Sequence, residues 1–124
     1  MIKLVFCLHR RPELTREEFQ RYWREEHAPL VRSHADVLRI QRYVQVHSLA
    51  AEWQGALRDS RGAPEEYDGV AELWWDSLED LGAATATDEG RAAGAALLQD
   101  EGRFIDLARS PIFLAEEHPV IGDA

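Results

Sequence analysis

The spacing of apolar positions changes several times along the chain, and each change predicts an element. Residues 2–9 (IKLVFCLH) are almost continuously apolar and suit a central strand covered on at least one face. From Leu14 the spacing lengthens. Phe19, Tyr22, Trp23, His27, Leu30 and Val31 recur at steps of three and four, while Glu17, Arg21, Arg24 and Glu25 take the other side, as in an amphipathic helix. Thr15 and Glu18 have the spacing of a capping box, and Leu14 and Phe19 that of a hydrophobic staple. Pro29 lacks an N–H and crowds the carbonyl of Glu25, and it disfavours the α conformation at Ala28, so the helix is expected to end or kink there. His27 would then lie in the last regular turn on the buried stripe, where the helix dipole favours imidazolium and burial favours neutral imidazole.

Residues 38–47 (LRIQRYVQVH) alternate, with Leu38, Ile40, Val44 and Val46 on one side and Arg39, Gln41, Tyr43, Gln45 and His47 on the other; Arg42 interrupts the apolar side. In the long connection that follows, Leu49, Trp53 and Leu57 suggest a short helix before the turn formers Asp59, Ser60, Gly62 and Pro64. Residues 68–75 (DGVAELWW) form a third strand, with Val70, Glu72 and Trp74 facing opposite to Ala71, Leu73 and Trp75. Ser77 and Asp80 cap a helical region that breaks near residues 85–87, resumes through the alanine-rich 88–99 and runs on toward 104–108. Residues 112–118 supply a last strand and 120–124 a loose tail.

The order β-α-β-β-α-β is that of an α+β, ferredoxin-like fold, with a four-stranded antiparallel sheet and helices on one face. Residues 1–124 then make a single domain. One sheet face stays uncovered, and pairing it with a second copy buries it, so a homodimer through the sheet face is expected.

Charge narrows the function. With 23 Asp and Glu against 14 Lys and Arg, a net charge of −9 disfavours nucleic acid and anionic membrane surfaces. The apolar run at residues 4–8 is too short for a signal-peptide core or a membrane span, so the protein is expected to be cytoplasmic. Cys7, the single cysteine, excludes an internal disulfide.

Three stretches, RRPELTREEFQRYWREEHAPL, YDGVAELWW and DEGRFIDLARSPIFLAEEH, resemble the EthD domain of dimeric α/β-barrel proteins over nearly the whole chain. The most specific part is the Arg-Arg-Pro run and the helix ending at His27, Ala28, Pro29 and Leu30, supported by Asp68–Gly69 and by Phe104 and Asp106. The resemblance implies a ferredoxin-like protomer that dimerises through its sheets into an α/β barrel. It also implies kinship with tailoring proteins of polyketide and anthraquinone pathways, of dehydratase, decarboxylase or cyclase type, and with lactone isomerases, which use neither metal nor organic cofactor.

The residues themselves favour acid–base chemistry. The five histidines form no His-x-His or His-Glu-x-x-His pair, so no metal centre is expected, and no phosphate loop or nucleophile elbow is present. His27 is the candidate proton carrier, Tyr43 the donor to a developing enolate oxygen, and Asp68 or His118 an orienter or second base. Trp23, Trp74 and Trp75 are candidates for an aromatic-lined pocket, and Arg11, with Arg10, for holding a substrate carboxylate. Each has a structural alternative: His27 as a cap on free carbonyls, Tyr43 and the tryptophans as core, Asp68 as a turn residue, His118 as a solvated strand end, and the arginines as a turn closure. Two functions follow. One is a cofactor-free lyase, isomerase or cyclase acting on a small hydrophobic oxygenated compound. The other is a non-catalytic dimer that binds such a compound or assists an oxygenase or an ether-degradation pathway.

Overall fold

The computed structural model describes residues 1–122. Its apolar first strand, β1 (Ile2–Leu8), lies inside a four-stranded sheet, between β3 (Gly69–Trp75) and β4 (Ile112–Ala115), with β2 (Arg42–His47) on the far side of β3. All three pairings are antiparallel; Ile2 stands opposite Trp75 and Leu8 opposite Gly69. This is the expected ferredoxin-like arrangement. Alternation sends Leu4, Phe6 and Leu8 to the helical side, where they meet Phe19, Trp23, Phe104 and Ile105. Val31, Leu38, Ala93 and Leu97 form a second cluster, and Tyr43 and Leu73 touch both. Phe19 and Leu8 lose all accessible surface. Burial on this scale contributes roughly 1.5–3 kcal/mol for each such side chain.

The capping box forms at the start of α1 (Arg16–Tyr22): Glu18 N–H donates to Thr15 Oγ1 at 3.1 Å, and Thr15 N–H donates to Glu18 Oε1 at 2.9 Å. The expected helix end at Ala28 does not occur. Residues Trp23–His27 form a single π-type turn, in which Ala28 N–H reaches back five residues to the Trp23 carbonyl, and helix α2 (Ala28–His34) continues from it. The wider turn carries the helix past Pro29, which sits in the first turn of α2, where a missing N–H costs little. Ala28 therefore stays in the α region, at φ −59° and ψ −44°. His27 is mid-helix rather than in a last turn, so the expected helix-end field at its ring is not there.

Strand β2 begins later than the alternation suggested. Ile40 N–H donates to Ala35 O at 2.9 Å and Arg39 N–H to Asp36 O at 3.1 Å, the paired bonds of a Schellman closure with Arg39 in the left-handed region at φ 58°. This closure turns the chain at residues 35–39 and delays the strand to Arg42. In the next connection, α3 (Trp53–Arg61) is held through Glu66, which pairs with Arg58 at 3.2 Å and Arg16 at 3.1 Å. Its apolar residues Trp53 and Leu57 are exposed, as is Leu49 before it. Helices α4 (Leu78–Thr85) and α5 (Asp88–Glu101) follow, capped by Ser77 and Thr87, with the anticipated break between them. Beyond α5, Ile105 makes an isolated bridge with Arg10 and Leu107–Arg109 forms a 3₁₀ turn. Strand β4 stops at Ala115, short of the expected residue 118. In the tail, Val120 and Ile121 are almost fully exposed, while residues 123 and 124 lie outside the described part.

On the helix-free face, Trp74 lies between Lys3 and Arg42, 5.1 and 4.6 Å from the ring, and its Nε1–H donates to Glu117 at 3.0 Å. Lys3 pairs with Glu72 at 3.0 Å. Val5, Val44, Val70 and Phe113 complete a face that no helix covers. Among the described residues no helix is long and apolar enough to cross a membrane.

Thr15→Ala should lower stability by about 1 kcal/mol, because the Glu18 N–H loses the Thr15 Oγ1 that accepts it. Urea denaturation checks this, and a midpoint equal to that of the parent protein would contradict it.

Candidate functional site

The π turn presents His27 toward α5. Its Nδ1 lies 2.7 Å from Asp100 Oδ2, and the other oxygen, Oδ1, accepts from Tyr22 OH at 2.5 Å and from Arg103 Nη1 at 3.5 Å. Both His27 and Asp100 are buried, at 4% and 8% exposure. Burial pulls the His27 pKa below its ordinary value, against the opposing effect of Asp100. Burial pushes Asp100 up, but the hydrogen bonds from Tyr22 and His27 and the charges of His27 and Arg103 outweigh it and hold its carboxyl below the usual range. The contact at neutral pH is therefore a neutral imidazole donating Nδ1–H to a carboxylate, which leaves Nε2 as the free basic nitrogen. Among the described residues no fully enclosed side-chain polar atom lacks a partner, and Nε2 has none, so it retains accessible surface.

A second polar row runs along the helix-facing side of β2. Gln45 Nε2 donates to the Trp23 carbonyl and to Tyr43 OH, both at 2.9 Å, and Gln45 Oε1 lies 2.8 Å from His47 Nε2. With both amide hydrogens spent, Gln45 Oε1 accepts from His47, and Tyr43, accepting from Gln45, keeps its own O–H to donate. Burial pushes the Tyr43 phenol up and pulls His47 down. His47 also stacks on Trp23 at 4.5 Å. Trp23 in turn requires Gly69, since a Cβ there would lie 2.4 Å from the indole and 2.8 Å from the Val46 carbonyl.

The remaining sequence-based candidates lie elsewhere. Asp68 is buried at the start of β3, where it accepts from Arg10 N–H at 2.8 Å and from the Arg10 guanidinium, with Arg16 Nε 3.7 Å away. This clamp joins the β1–α1 turn to the sheet. Arg11 donates to the Gly102 carbonyl at 2.9 Å and pairs with Glu13, at the surface. His118 is solvated, 3.9 Å from Glu116. Trp74 and Trp75 point to opposite faces of the sheet; Trp75 is anchored by its Nε1–H to Leu38 O at 2.7 Å on the helical side. The structure thus brings His27, Trp23 and Tyr43 into one layer and leaves Asp68, His118, Trp74 and Arg11 outside it.

Asp100, Tyr22, Gln45 and His47 went unassigned in the sequence, as did Glu101, whose pKa burial and the charge of Asp100 push up to about 7. A signal for the acidic pair existed. Asp100 and Glu101 continue the stripe of Ala93 and Leu97 at helical spacing, and charge on an apolar stripe marks a functional candidate.

A cleft of about 500 Å³ is bounded by Arg10, Arg16 and Arg109 and by Glu65, Glu66 and Asp68 at the sheet end, away from His27. Its opposite charges largely neutralise one another. Two smaller hollows adjoin the buried networks: one of about 290 Å³ against Tyr22, Arg103 and Phe104, and one of about 220 Å³ against Ala28, Val31, Ile40 and Tyr43. Among the described residues no group of three or more His, Cys, Asp or Glu side chains is placed to hold a metal.

The EthD domain family model matches residues 11–108. Among solved structures, the chain is similar to an EthD family protein of Bacillus halodurans C-125, with 23% identity, coverage of 95% of this chain and 99% of that one, and a TM-score of 0.62. An EthD-like protein of Ralstonia eutropha JMP134 shares 21% identity over 93% of this chain and 90% of its own, with a TM-score of 0.59. A dimeric ferredoxin-like protein of unknown function from Bacteroides fragilis NCTC 9343 shares 12% identity over 94% and 95%, with a TM-score of 0.58. At these identities the likeness is one of fold. No protein among the curated ones matches the chain.

The negative charge of Asp100 raises both His27 and Glu101. Asp100→Asn should therefore move the His27 midpoint further below its ordinary value and bring Glu101 down from about 7. NMR titration of the imidazole and carboxyl signals reads both shifts, and two unchanged midpoints would refute the electrostatic account.

Proposed function

The chain belongs to the EthD domain family, and we propose that it is a cofactor-free lyase, isomerase or cyclase doing acid–base chemistry on a small hydrophobic oxygenated compound, with His27 as the proton carrier. The observation that carries this reading is the 2.7 Å contact of His27 Nδ1 with Asp100, which orients a neutral imidazole and leaves Nε2 open. Asp100 occupies the orienting position considered for Asp68 and His118. A proton on carbon next to a carbonyl passes to Nε2, the C–H electron pair becomes the C=C of an enolate, and the charge arrives on the oxygen. Tyr43, whose hydroxyl accepts from Gln45 and keeps its hydrogen, donates to that oxygen. Elimination, double-bond migration and ring closure all pass through such an enolate, so the same residues serve a dehydratase, an isomerase or a cyclase of aromatic, polyketide or lactone substrates. Phe104 borders the hollow of about 290 Å³ beside Tyr22 and Leu14, an apolar edge that suits a small ring.

The working form is a homodimer joined through the helix-free face. In support, Val5, Val44, Val70 and Phe113 share that face around the Trp74 cluster, and the similar Bacteroides protein is dimeric. Sedimentation equilibrium at micromolar concentration should give the mass of two chains; the mass of one would contradict this.

A suitable probe of the chemistry is 2-tetralone, an apolar aromatic ketone with acidic α-hydrogens. The protein should accelerate exchange of those hydrogens for deuterium in D₂O, followed by NMR. His27→Gln should keep the dimer and most of the stability while lowering the catalysed exchange by about 10²-fold or more. A variant that melts earlier yet exchanges as fast as the parent would make His27 structural and favour the non-catalytic reading.

A further inference from the structure

Ala28, Val31, Arg32 and Ala35, the last of them the C-cap of α2, recur at steps of three and four and so share one side of that helix. This side meets Ile40 and Tyr43 at the start of β2. Two of the four helical side chains are single methyl groups, so helix and strand do not close on each other, and a hollow of about 220 Å³ remains between them. Val31, exposed to only 2%, and Ile40, which packs on the second core cluster, make its wall apolar. Strand β2 is at the edge of the sheet and pairs with β3 alone, so among the described residues no further strand covers the hollow from that side.

The charge around this hollow has one sign. Its border holds Arg32 and Arg42 and, among the described residues, no Asp or Glu. The two arginines differ in what they already do. Arg42 is occupied, its guanidinium 4.6 Å from the Trp74 ring on the helix-free face. Arg32 is exposed and its side chain has no ion pair or hydrogen bond among the described residues, in a chain whose net charge is −9. We infer that the hollow is a binding site for a small apolar carboxylate, with the ring of the ligand against Val31, Ile40 and Tyr43 and its carboxylate on Arg32. The planar guanidinium offers paired N–H donors to the two carboxylate oxygens. A cationic ligand would meet Arg32 with no counter-charge, and an uncharged one would leave it unused. The volume lies below the roughly 300–1,000 Å³ of pockets for drug-sized ligands, so the site suits a single ring rather than a fused system.

Tyr43 belongs both to this wall and to the polar row, where its hydroxyl accepts from Gln45. A ligand in the hollow therefore lies against the same side chain to which the proposed chemistry gives the enolate oxygen. Binding itself needs no proton transfer at His27, so the site goes beyond the acid–base reading and serves a non-catalytic binding dimer equally well.

The test is an NMR titration of methyl-labelled protein with benzoate and with benzamide, its uncharged counterpart. Benzoate at millimolar concentration should shift the methyl signals of Ala28, Val31, Ala35 and Ile40 along a saturating curve, and benzamide should bind about fivefold more weakly or less well still. Arg32→Gln, a change at an exposed position, should leave the spectrum of the free protein otherwise intact, weaken benzoate about fivefold and leave benzamide as it was. Ala35→Leu, which fills the hollow, should weaken both ligands. Methyl signals that benzoate does not move, benzamide bound as tightly as benzoate, or an Arg32→Gln protein that keeps the parent's affinity for benzoate would each overturn the site. None of these readouts depends on 2-tetralone exchange, so a protein that binds benzoate in this way but exchanges nothing keeps the site and loses the proton-carrier role of His27.

Discussion

The hydrogen bond between His27 and Asp100 joins two helices that the sheet alone would leave independent. Residue 27 belongs to the crossover between the first two strands and residue 100 to the crossover between the last two, so the bond closes the helical layer over β1 and β3. Its setting is apolar: the His27 ring lies 5.1 Å from that of Phe104, and Phe104 in turn meets Phe19 and Tyr22. In such surroundings a lone carboxylate costs several kcal/mol, and Asp100 is tolerated because Tyr22, His27 and Arg103 satisfy its oxygens. The same bond orients the imidazole. Stability and the proposed chemistry therefore draw on one contact.

The π turn makes that contact possible. A regular α-helix through Pro29 would press the proline ring against the carbonyl of Glu25; the added residue in the turn removes the clash. It also leaves the Trp23 carbonyl able to take Gln45 Nε2–H as well as Ala28 N–H, which ties the helix to β2. Trp23 closes the system from the other side, stacked on His47 and packed so tightly on Gly69 that no side chain fits there. The Asp68–Gly69 pair thus has two separate tasks: the aspartate clamps the Arg10 turn and the glycine yields space to the indole.

Periodicity carried most of the architecture. Long helices and apolar strands are local features, and the Thr15 and Ser77 caps, the strand faces and the break before α5 can all be read from neighbouring residues. Pro29 misled because the rule against proline in a helix assumes a regular hydrogen-bond ladder, and tertiary packing on both sides holds a widened turn instead. Arg39 misled because the left-handed closure of a helix ordinarily calls for glycine, whereas here Ile40 packs onto the second core cluster and fixes the turn. His27 was legible as a position on the buried helical stripe, and Tyr43 as one side of an alternating strand. Asp100 is far from His27 in sequence and becomes its partner only when α5 lies across the π turn, which no local pattern records.

Asp100 holds His27 as a neutral imidazole with its proton on Nδ1 and a free Nε2. Nitrogen-15 NMR of histidine-labelled protein, with the His27 signals assigned by their loss in His27→Gln, measures this tautomer directly. At pH 7 the account predicts a neutral ring with a protonated Nδ1 and a basic Nε2 shift, changing to imidazolium only as the pH falls below the ordinary histidine value, the direction in which burial moves it. A ring protonated on Nε2, or one still doubly protonated at neutral pH, would contradict it.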